Sequence, residues 1–426
     1  MTAILVIIVF IGLMMIGVPM FSVLGLTTAS YCLINEVTMS ALPYRMVTSL
    51  NNFTLLAIPF FMIAGEIMAE GNLTGRLVQL CRALIGFIRG GLAYVVVLLN
   101  IILAGMSGSA NADTAASAAI LLPAMDEEKY DRAWSGALLA ASGTMGPIIP
   151  PSIGFVVYAS IATVSVDELF KAGVVPGFLM AITFFALVGI YAKRHNLPRD
   201  KRSTGKEIWA AFKKSILSLI MPIIILVSIF TGFATATEGA AIALVYALFV
   251  TKFIYKTMTF KKLIKIITKV MLTNGAMMSI FAAAAIFGWL MSYEQIPQLI
   301  KETVLALSSN KYVFLILVNI LLLFLGCLME GTAIKLILVP MLLPILKSYD
   351  ISLVQFGVIM ELNLMVGLIT PPVGMSLFLI TKLTDQPVLK LVKNLLPFMV
   401  CIIIVLLMVT YIEDISLWLP RLLTNS

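Results

Sequence analysis

Long apolar runs separated by short polar links extend along the whole chain. A helix that spans a bilayer needs about 20 predominantly apolar residues, whereas the strands of a transmembrane β-barrel alternate polar and apolar positions over about 10 residues. The unbroken runs, rich in Leu, Ile and Val, therefore predict an all-α polytopic membrane protein. The runs lie at about 4–28, 53–70, 92–125, 133–163, 172–192, 216–251, 272–292, 313–346, 355–384 and 394–420.

Some of these runs are too long for one crossing and carry a polar or Pro/Gly-rich break near the middle. Unwound backbone at membrane depth is tolerated only where protein or a water-filled cavity satisfies it, and transporters place binding sites at such breaks. The breaks lie at 107–111, 146–151, 330–332 and 367–372. They predict two re-entrant helical hairpins, at 92–125 and 313–346. They also predict two Pro-broken helices, at 133–163 and 355–384.

The breaks recur at a fixed offset of 221 residues, which indicates an internal repeat. Hairpins and broken helices that approach the membrane midplane from opposite sides favour an inverted repeat. Four proline pairs share the offset: Pro123 and Pro344, Pro150 and Pro371, Pro151 and Pro372, and Pro176 and Pro397. We therefore predict a first repeat at 1–205, linking helices with basic loops at 206–270, and a second repeat at 271–426.

The composition agrees with a bilayer protein and indicates its orientation. Of the 426 residues, 61% are hydrophobic and 12% are charged, which is too little charge to cover a soluble fold. The formal net charge of +8 arises mainly from the segments 193–214 and 252–269. Because Lys and Arg collect in cytoplasmic loops, this charge gives no reason to expect a nucleic-acid partner. The run 216–251 between the two basic loops is expected to cross twice, and the first apolar run is expected to be a retained membrane helix.

Each half combines a hairpin tip rich in Gly, Ser, Thr or Asn with a helix that is unwound at Pro-Pro. Such turns expose backbone carbonyls beside neutral oxygens, which is the donor set that Na⁺ prefers. Half-helix N-termini suit an anionic substrate between the tips. The cation ligands expected from this pattern are Ser107, Ser109 and Asn111 with the carbonyls of Gly143, Gly146 and Ile149, and, in the second half, Thr332 and Thr370 with the carbonyls of Gly326 and Gly367.

Charged residues inside the apolar hairpins are further candidates, because charge at membrane depth is usually functional. Asp113 follows the first tip and Glu330 lies at the second. Each of these acids is expected to tune a cation site, orient its tip, carry a proton or cap a turn. At the offset of 221, Glu330 corresponds to Ser109, so the two sites are expected to differ in charge. Lys335 is expected to reach the interface or to pair with an acid.

Four ordered motifs surround these breaks: GMSGSANADTAASAAILLPAM, SGTMGPIIPPSIGFVVYAS, FKAGVVPGF and GLITPPVGMSLFLI. Together they resemble the large membrane subunit of tripartite ATP-independent periplasmic (TRAP) transporters, and the resemblance covers nearly the whole chain. The chain looks most like the unfused large subunit of the sialic-acid type. Members that transport C4-dicarboxylates share the same motifs.

The resemblance implies an elevator-type ion transporter fold in the bacterial inner membrane, with a mobile transport domain, a scaffold domain and coupled Na⁺. It implies a small four-helix membrane subunit, a periplasmic substrate-binding protein and a small anionic substrate as partners, besides membrane lipid, and no organic cofactor. It also implies at least two Na⁺ sites, the first at Ser107, Ser109, Gly146, Ile149 and Pro151 and the second at Gly326, Glu330, Gly367 and Thr370. The expected substrate and coupling positions are Asp113, Pro150, Ser152 and Pro371.

Two other functions fit part of the pattern. The residues 105–108 match the GxSG of an intramembrane serine protease, but that mechanism needs a histidine base, and His195, the only histidine, lies in a basic loop. An uncoupled channel is the second alternative, which two unlike hairpin sites beside broken helices disfavour. The sequence therefore favours Na⁺-coupled uptake of a small carboxylate, sialic acid first and C4-dicarboxylate second, by a subunit that is not an enzyme.

Overall fold

The described part of the chain is built from α-helices joined by turns. The computed structural model describes residues 2–71, 73–307 and 310–424, and no strand occurs among them, which confirms the predicted all-α class. The first helices are α1 (Thr2–Met15), α2 (Met20–Ile34), α3 (Ala41–Leu50), α4 (Ala57–Glu70), α5 (Leu73–Ile85), α6 (Gly91–Ser107), α7 (Ala110–Glu127), α8 (Arg132–Gly143), α9 (Ile153–Ala162) and α10 (Val166–Arg194). The later helices are α11 (Gly205–Phe230), α12 (Ala236–Phe249), α13 (Phe260–Tyr293), α14 (Ile296–Leu307), α15 (Lys311–Leu328), α16 (Gly331–Ser348), α17 (Leu353–Leu368), α18 (Met375–Thr384), α19 (Val388–Tyr411) and α20 (Asp414–Thr424).

Within the described ranges, eight helical stretches are long and apolar enough to cross a membrane. The longest are α10 and α13, with 29 and 34 residues, which extend about 43 and 51 Å at 1.5 Å per residue. α10 ends in one basic loop and α13 begins in the other, so the start of α10 and the end of α13 lie opposite the loops that the excess of Lys and Arg predicts to be cytoplasmic. The run 216–251 is divided between α11 and α12, with the turn at 231–235.

The helices of the two halves follow each other in the same order at the offset of 221. Adding 221 to the bounds of α7 gives 331–348, which are the bounds of α16. The same shift places α6 at 312–328, beside α15 at 311–328, and α9 at 374–383, beside α18 at 375–384. α6 with α7, and α15 with α16, are the two helical hairpins, and α8–α9 and α17–α18 are the two broken helices.

Local chemistry explains where these helices stop. Gly108 ends α6 in the left-handed region at φ 61°, where a glycine carries no Cβ penalty, and the extended Ser109 redirects the chain into α7. The break between α8 and α9 contains three prolines, which lack the N–H that a continuing helix needs. The Pro150–Pro151 and Pro371–Pro372 peptide bonds are both cis.

Hairpins and broken helices of the first half contact those of the second half. α18 contacts α7 and α8, α16 contacts α9, and α17 contacts α9 and α10. The Tyr158 hydroxyl donates to the carbonyl of Leu353 at 2.7 Å, and Arg132 Nε donates to the carbonyl of Thr384 at 2.8 Å. The hairpins and broken helices therefore form one inner group, while α2 and α3 pack on α13, α4 on α12, and α5 on α11 around it.

Candidate ion and substrate site

The tip of the first hairpin rests on the first broken helix. A Cβ on Gly108 would lie 2.5 Å from the carbonyl oxygen of Pro151, so only glycine fits at this contact. The backbone N–H of Ser109 donates to Ser107 Oγ at 3.1 Å, which fixes the turn. The break itself is enclosed, because Pro150 and Pro151 are both buried. The hairpin and the break therefore create one buried polar centre.

Buried oxygens without partners lie on α7 and α8, the helices that border this centre. Asp113 is 2% exposed, and its Oδ1 accepts from Ser107 Oγ at 2.5 Å, while its Oδ2 has no hydrogen-bond partner among the described residues. The hydroxyls of Thr114 and Ser142 are also buried and have no hydrogen-bond partner among the residues that the structure describes. A buried polar group without a partner costs about 1–3 kcal/mol, so these oxygens point to a bound group that the chain itself does not supply.

Two glycines allow the oxygens to approach the end of α8. A Cβ on Gly146 would lie 2.5 Å from Asp113 Oδ2. A Cβ on Gly143 would lie 2.9 Å from the carbonyl oxygen of Ala110 and would collide with the Thr114 hydroxyl. One carboxylate, several neutral oxygens and no nitrogen or sulfur donor suit a hard monovalent cation. Among the described residues no group of three His, Cys, Asp or Glu residues is placed to hold a metal.

The other first-half candidates lie around this centre and not within it. Asn111 Oδ1 accepts from Ser376 Oγ of α18 at 2.6 Å, so this side chain links the two halves. Ser152 Oγ donates to the carbonyl of Pro147 at 2.5 Å and accepts from the N–H of Phe155 at 3.1 Å, which caps α9. Ile149 is buried, and its side chain lies against Gly177 of α10.

The second half repeats the close approach but differs in charge and exposure. A Cβ on Gly326 would lie 3.3 Å from Gly367 Cα, so hairpin and broken helix again meet through glycines. Glu330 is exposed and caps α16, accepting from the N–H groups of Thr332 and Ala333 at 2.9 and 3.2 Å. Thr332 Oγ1 also donates to Glu330 at 2.8 Å. The carboxylate of the second tip therefore binds its own helix, unlike that of Asp113.

The second break is also more open than the first. Pro371 and Pro372 are exposed, and the Thr370 hydroxyl donates to the carbonyl of Val366 at 2.6 Å. Asn363 is fully buried on α17, and its Oδ1 has no partner among the described residues. At the offset of 221, Asn363 corresponds to Ser142, so matched positions in both halves present an unpartnered oxygen.

Several buried polar residues with an unpartnered oxygen were not predicted from the sequence. Thr114, Ser142 and Asn363 are single polar positions in apolar helices, and nothing in their local pattern separates them from packing residues. Lys335 pairs with Glu361 at 2.5 Å, with side chains 4% and 2% exposed, which confirms its predicted pairing with an acid. Glu361 could have been predicted from the sequence as a candidate, because it is an acid within an apolar helix.

The family follows from comparison with known proteins. Residues 7–415 match the family model described as "Tripartite ATP-independent periplasmic transporter, DctM component". The chain belongs to this TRAP transporter family. This membership confirms the resemblance, places the chain in the bacterial inner membrane and makes it a permease subunit, not an enzyme. The protease alternative is therefore wrong. The Ser107 hydroxyl donates a hydrogen bond to Asp113 and not to a histidine, and His195 stacks on the ring of Tyr191.

TRAP permeases with different named substrates are similar to this chain over nearly their full length. The sialic acid TRAP transporter large permease protein SiaM of Vibrio cholerae is 35% identical over 412 residues, covering 96% of both chains. The C4-dicarboxylate TRAP transporter large permease protein DctM of Pseudomonas aeruginosa is 38% identical, covering 95% of both chains. The 2,3-diketo-L-gulonate TRAP transporter large permease protein YiaN of Escherichia coli is 37% identical, covering 87% of both.

Two solved transporters share the fold of this TRAP permease. The YdaH transporter of Alcanivorax borkumensis superposes with a TM-score of 0.65 at 15% identity, covering 90% of both chains. MtrF of Neisseria gonorrhoeae superposes with a TM-score of 0.60 at 14% identity, covering 91% of this chain and 85% of MtrF. At these identities the likeness concerns the fold alone.

Proposed function

We propose that this TRAP permease couples inward movement of Na⁺ to uptake of a small carboxylate. The observation that carries the proposal is the buried oxygen centre of Asp113, Thr114 and the first tip. An ionised carboxylate buried without a counter-charge is costly, and a Na⁺ ion on its free oxygen would offset that cost while satisfying the neighbouring hydroxyl. The cation sites expected at the first tip thus remain a proposal, supported by the unpartnered Asp113 Oδ2.

The second Na⁺ site is proposed at the second tip and break. The Gly326–Gly367 approach brings the backbone of hairpin and broken helix together, and the break from the half-buried Thr370 to the exposed Pro372 offers carbonyl oxygens. Glu330 would act on that ion through the α16 cap that it forms. Each net positive charge that moves inward gains about 2.3 kcal/mol per 100 mV. A monoanion carried with two Na⁺ would therefore be concentrated without ATP.

The substrate is proposed to be sialic acid first, with C4-dicarboxylates as the second choice. The relatives named above transport carboxylates, which supports the class. We further propose that a periplasmic binding protein delivers the substrate, that a small membrane subunit completes the permease, and that the inner group of hairpins and broken helices moves as an elevator against the outer helices. The separate packing of α2 and α3 on α13 supports such a division.

The experiment is Na⁺-driven uptake of labelled sialic acid in proteoliposomes that contain the chain, its small subunit and its binding protein. Thr114→Val keeps the side-chain shape but removes the unpartnered hydroxyl, and we expect the Na⁺ concentration for half-maximal uptake to rise about tenfold. Ser117→Ala is the matched control on α7, because its hydroxyl already donates to the carbonyl of Asp113 at 2.7 Å.

Two results would contradict the proposal. Uptake that does not depend on Na⁺ would refute the proposed coupling, and an uncoupled channel would then describe the chain better. Equal Na⁺ dependence in Thr114→Val and Ser117→Ala would show that the centre does not bind the ion. Succinate and 2,3-diketo-L-gulonate as competitors identify which carboxylate is preferred.

A further inference from the structure

A cavity of about 490 Å³ opens beside the last turns of α13, at the end of this helix that is remote from the basic loops. Its walls come from α3 and the turn after it, from the end of α13, from α16 and from the end of α9. Because α13 begins in a cytoplasmic loop, its end at Trp289 and Ser292 faces the periplasm. The cavity has the volume of a small-molecule site and lies where the inner and outer groups of helices meet.

Arg45 gives this cavity its charge. No Asp or Glu lines the cavity, and among the described residues no carboxylate lies within 4 Å of the Arg45 guanidinium. The guanidinium lies over the ring of Trp289, with Cζ 5.1 Å from the ring centroid, which orients its N–H fork. Asn52 Oδ1 accepts from the N–H of Thr54 at 3.0 Å, so its NH₂ group remains a donor beside Arg45. This wall can bind a carboxylate with two parallel hydrogen bonds.

The three serine side chains of the cavity act as acceptors. The hydroxyls of Ser49, Ser160 and Ser292 each donate to a carbonyl of their own helix, at 2.8, 2.7 and 3.0 Å. A serine hydroxyl has one hydrogen to donate, so only its lone pairs remain for a ligand. Lone pairs attract hydroxyl and amide N–H donors and repel a second carboxylate. Phe281, Leu336 and Pro340 complete an apolar wall.

We propose that this cavity is a binding site for a carboxylic acid that also carries hydroxyl or amide N–H donors, as an acidic sugar does. The carboxylate binds Arg45 and Asn52, and the donors of the ligand bind the three serine oxygens. The proposal rests on the proposed uptake function, since it gives that function a periplasmic entry site and a substrate class. A simple dicarboxylate fits poorly, because its second carboxylate meets the lone pairs of the three serine hydroxyls.

The test is a ligand titration of the chain purified with its small membrane subunit, followed by tryptophan fluorescence. Sialic acid is expected to change the fluorescence saturably, and the change is expected to vanish in Trp289→Phe. Succinate is expected to bind at least about tenfold more weakly. Arg45→Gln is expected to raise the Kd for sialic acid about tenfold or more. Arg421→Gln is expected to leave the Kd unchanged, because Arg421 is an exposed arginine outside the cavity that is already paired with Asp414 at 2.6 Å.

Three results would overturn the inference: an unchanged Kd in Arg45→Gln, equal affinity for succinate, or displacement of sialic acid by phosphatidylglycerol vesicles, which would identify a lipid phosphate as the occupant. Na⁺-driven uptake measured on the same variants separates this inference from the proposed function. Na⁺-dependent uptake with an unchanged Kd in Arg45→Gln refutes the entry site alone. Binding that requires Arg45, together with uptake indifferent to Na⁺, supports the site and refutes the coupling.

Discussion

The ion pair between Lys335 and Glu361 links α16 to α17 and lies against α9, at the junction of the two halves. Lys335 Nζ lies 2.5 Å from Glu361 Oε2, with the two side chains 4% and 2% exposed. A Cβ on Gly154, in the first turn of α9, would lie 2.5 Å from Glu361 Oε2. At the offset of 221, Lys335 corresponds to Thr114, so an ammonium stands where the first half has an unpartnered hydroxyl.

The structure sets the size of the effect of breaking this pair. Two unit charges 2.5 Å apart attract by about 7 kcal/mol at an effective dielectric constant near 20. Desolvation of both groups offsets much of this attraction, but removing one partner leaves the other buried and unpaired, which costs about 3–5 kcal/mol. We therefore expect Lys335→Met to lower the free energy of unfolding by that amount. Replacing both residues by Met is expected to cost less than either single change.

The assay is equilibrium unfolding in mixed micelles, followed by thiol labelling of Cys81, which is fully buried in the folded chain. Lys347→Met is the control on the same helix, because Lys347 is exposed and we expect a change within about 0.5 kcal/mol. If Lys335→Met costs less than about 1 kcal/mol, or if the two single changes add in the double variant, the pair does not hold the junction as we argue.

Two further predictions concern the first tip and the cytoplasmic end. Gly108→Ala and Gly17→Ala both force alanine into the left-handed region, at φ 61° and 82°, at about 1–2 kcal/mol each. Only the Cβ at Gly108 meets backbone, so we expect Na⁺-driven uptake to fall in Gly108→Ala alone, and equal uptake in the two variants would contradict the close contact. Arg82 binds Asp200 at 2.6 Å and Glu128 at 2.6 Å, so Arg82→Gln is expected to speed tryptic cleavage of the loop that contains Asp200. Because these groups are partly exposed, high salt should have the same effect on the unmodified chain, and cleavage insensitive to both would refute the role of the pair.

Much of the architecture could be predicted because its causes are local or periodic. The length of an apolar run reports a helix in a bilayer, and the loops rich in Lys and Arg report orientation. Prolines and glycines at an offset of 221 indicated where helices would break, and the bounds of α7 and α16 differ by that number. Proline and glycine act on their own backbone, so their effect can be read without knowing the neighbours.

Which residues belong to the buried polar centre at the first tip depended on tertiary structure. Asn111 and Asp113 are two residues apart, so on α7 they point about 200° apart. Asp113 faces the end of α8, while Asn111 reaches Ser376 of the other half. Proximity in sequence suggested one shared cluster, but the helix divides it.

What the sequence by itself determined is the bilayer, the helical class, the positions of the breaks and the family. Only the tertiary structure decided that the first Pro-Pro break is buried and the second exposed, and that Asp113 keeps a free oxygen. The reason is physical: helix formation and membrane insertion depend on residues that are close in the chain. Burial, pairing and an unpartnered oxygen depend on which distant helix lies opposite, and a single sequence does not record that partner.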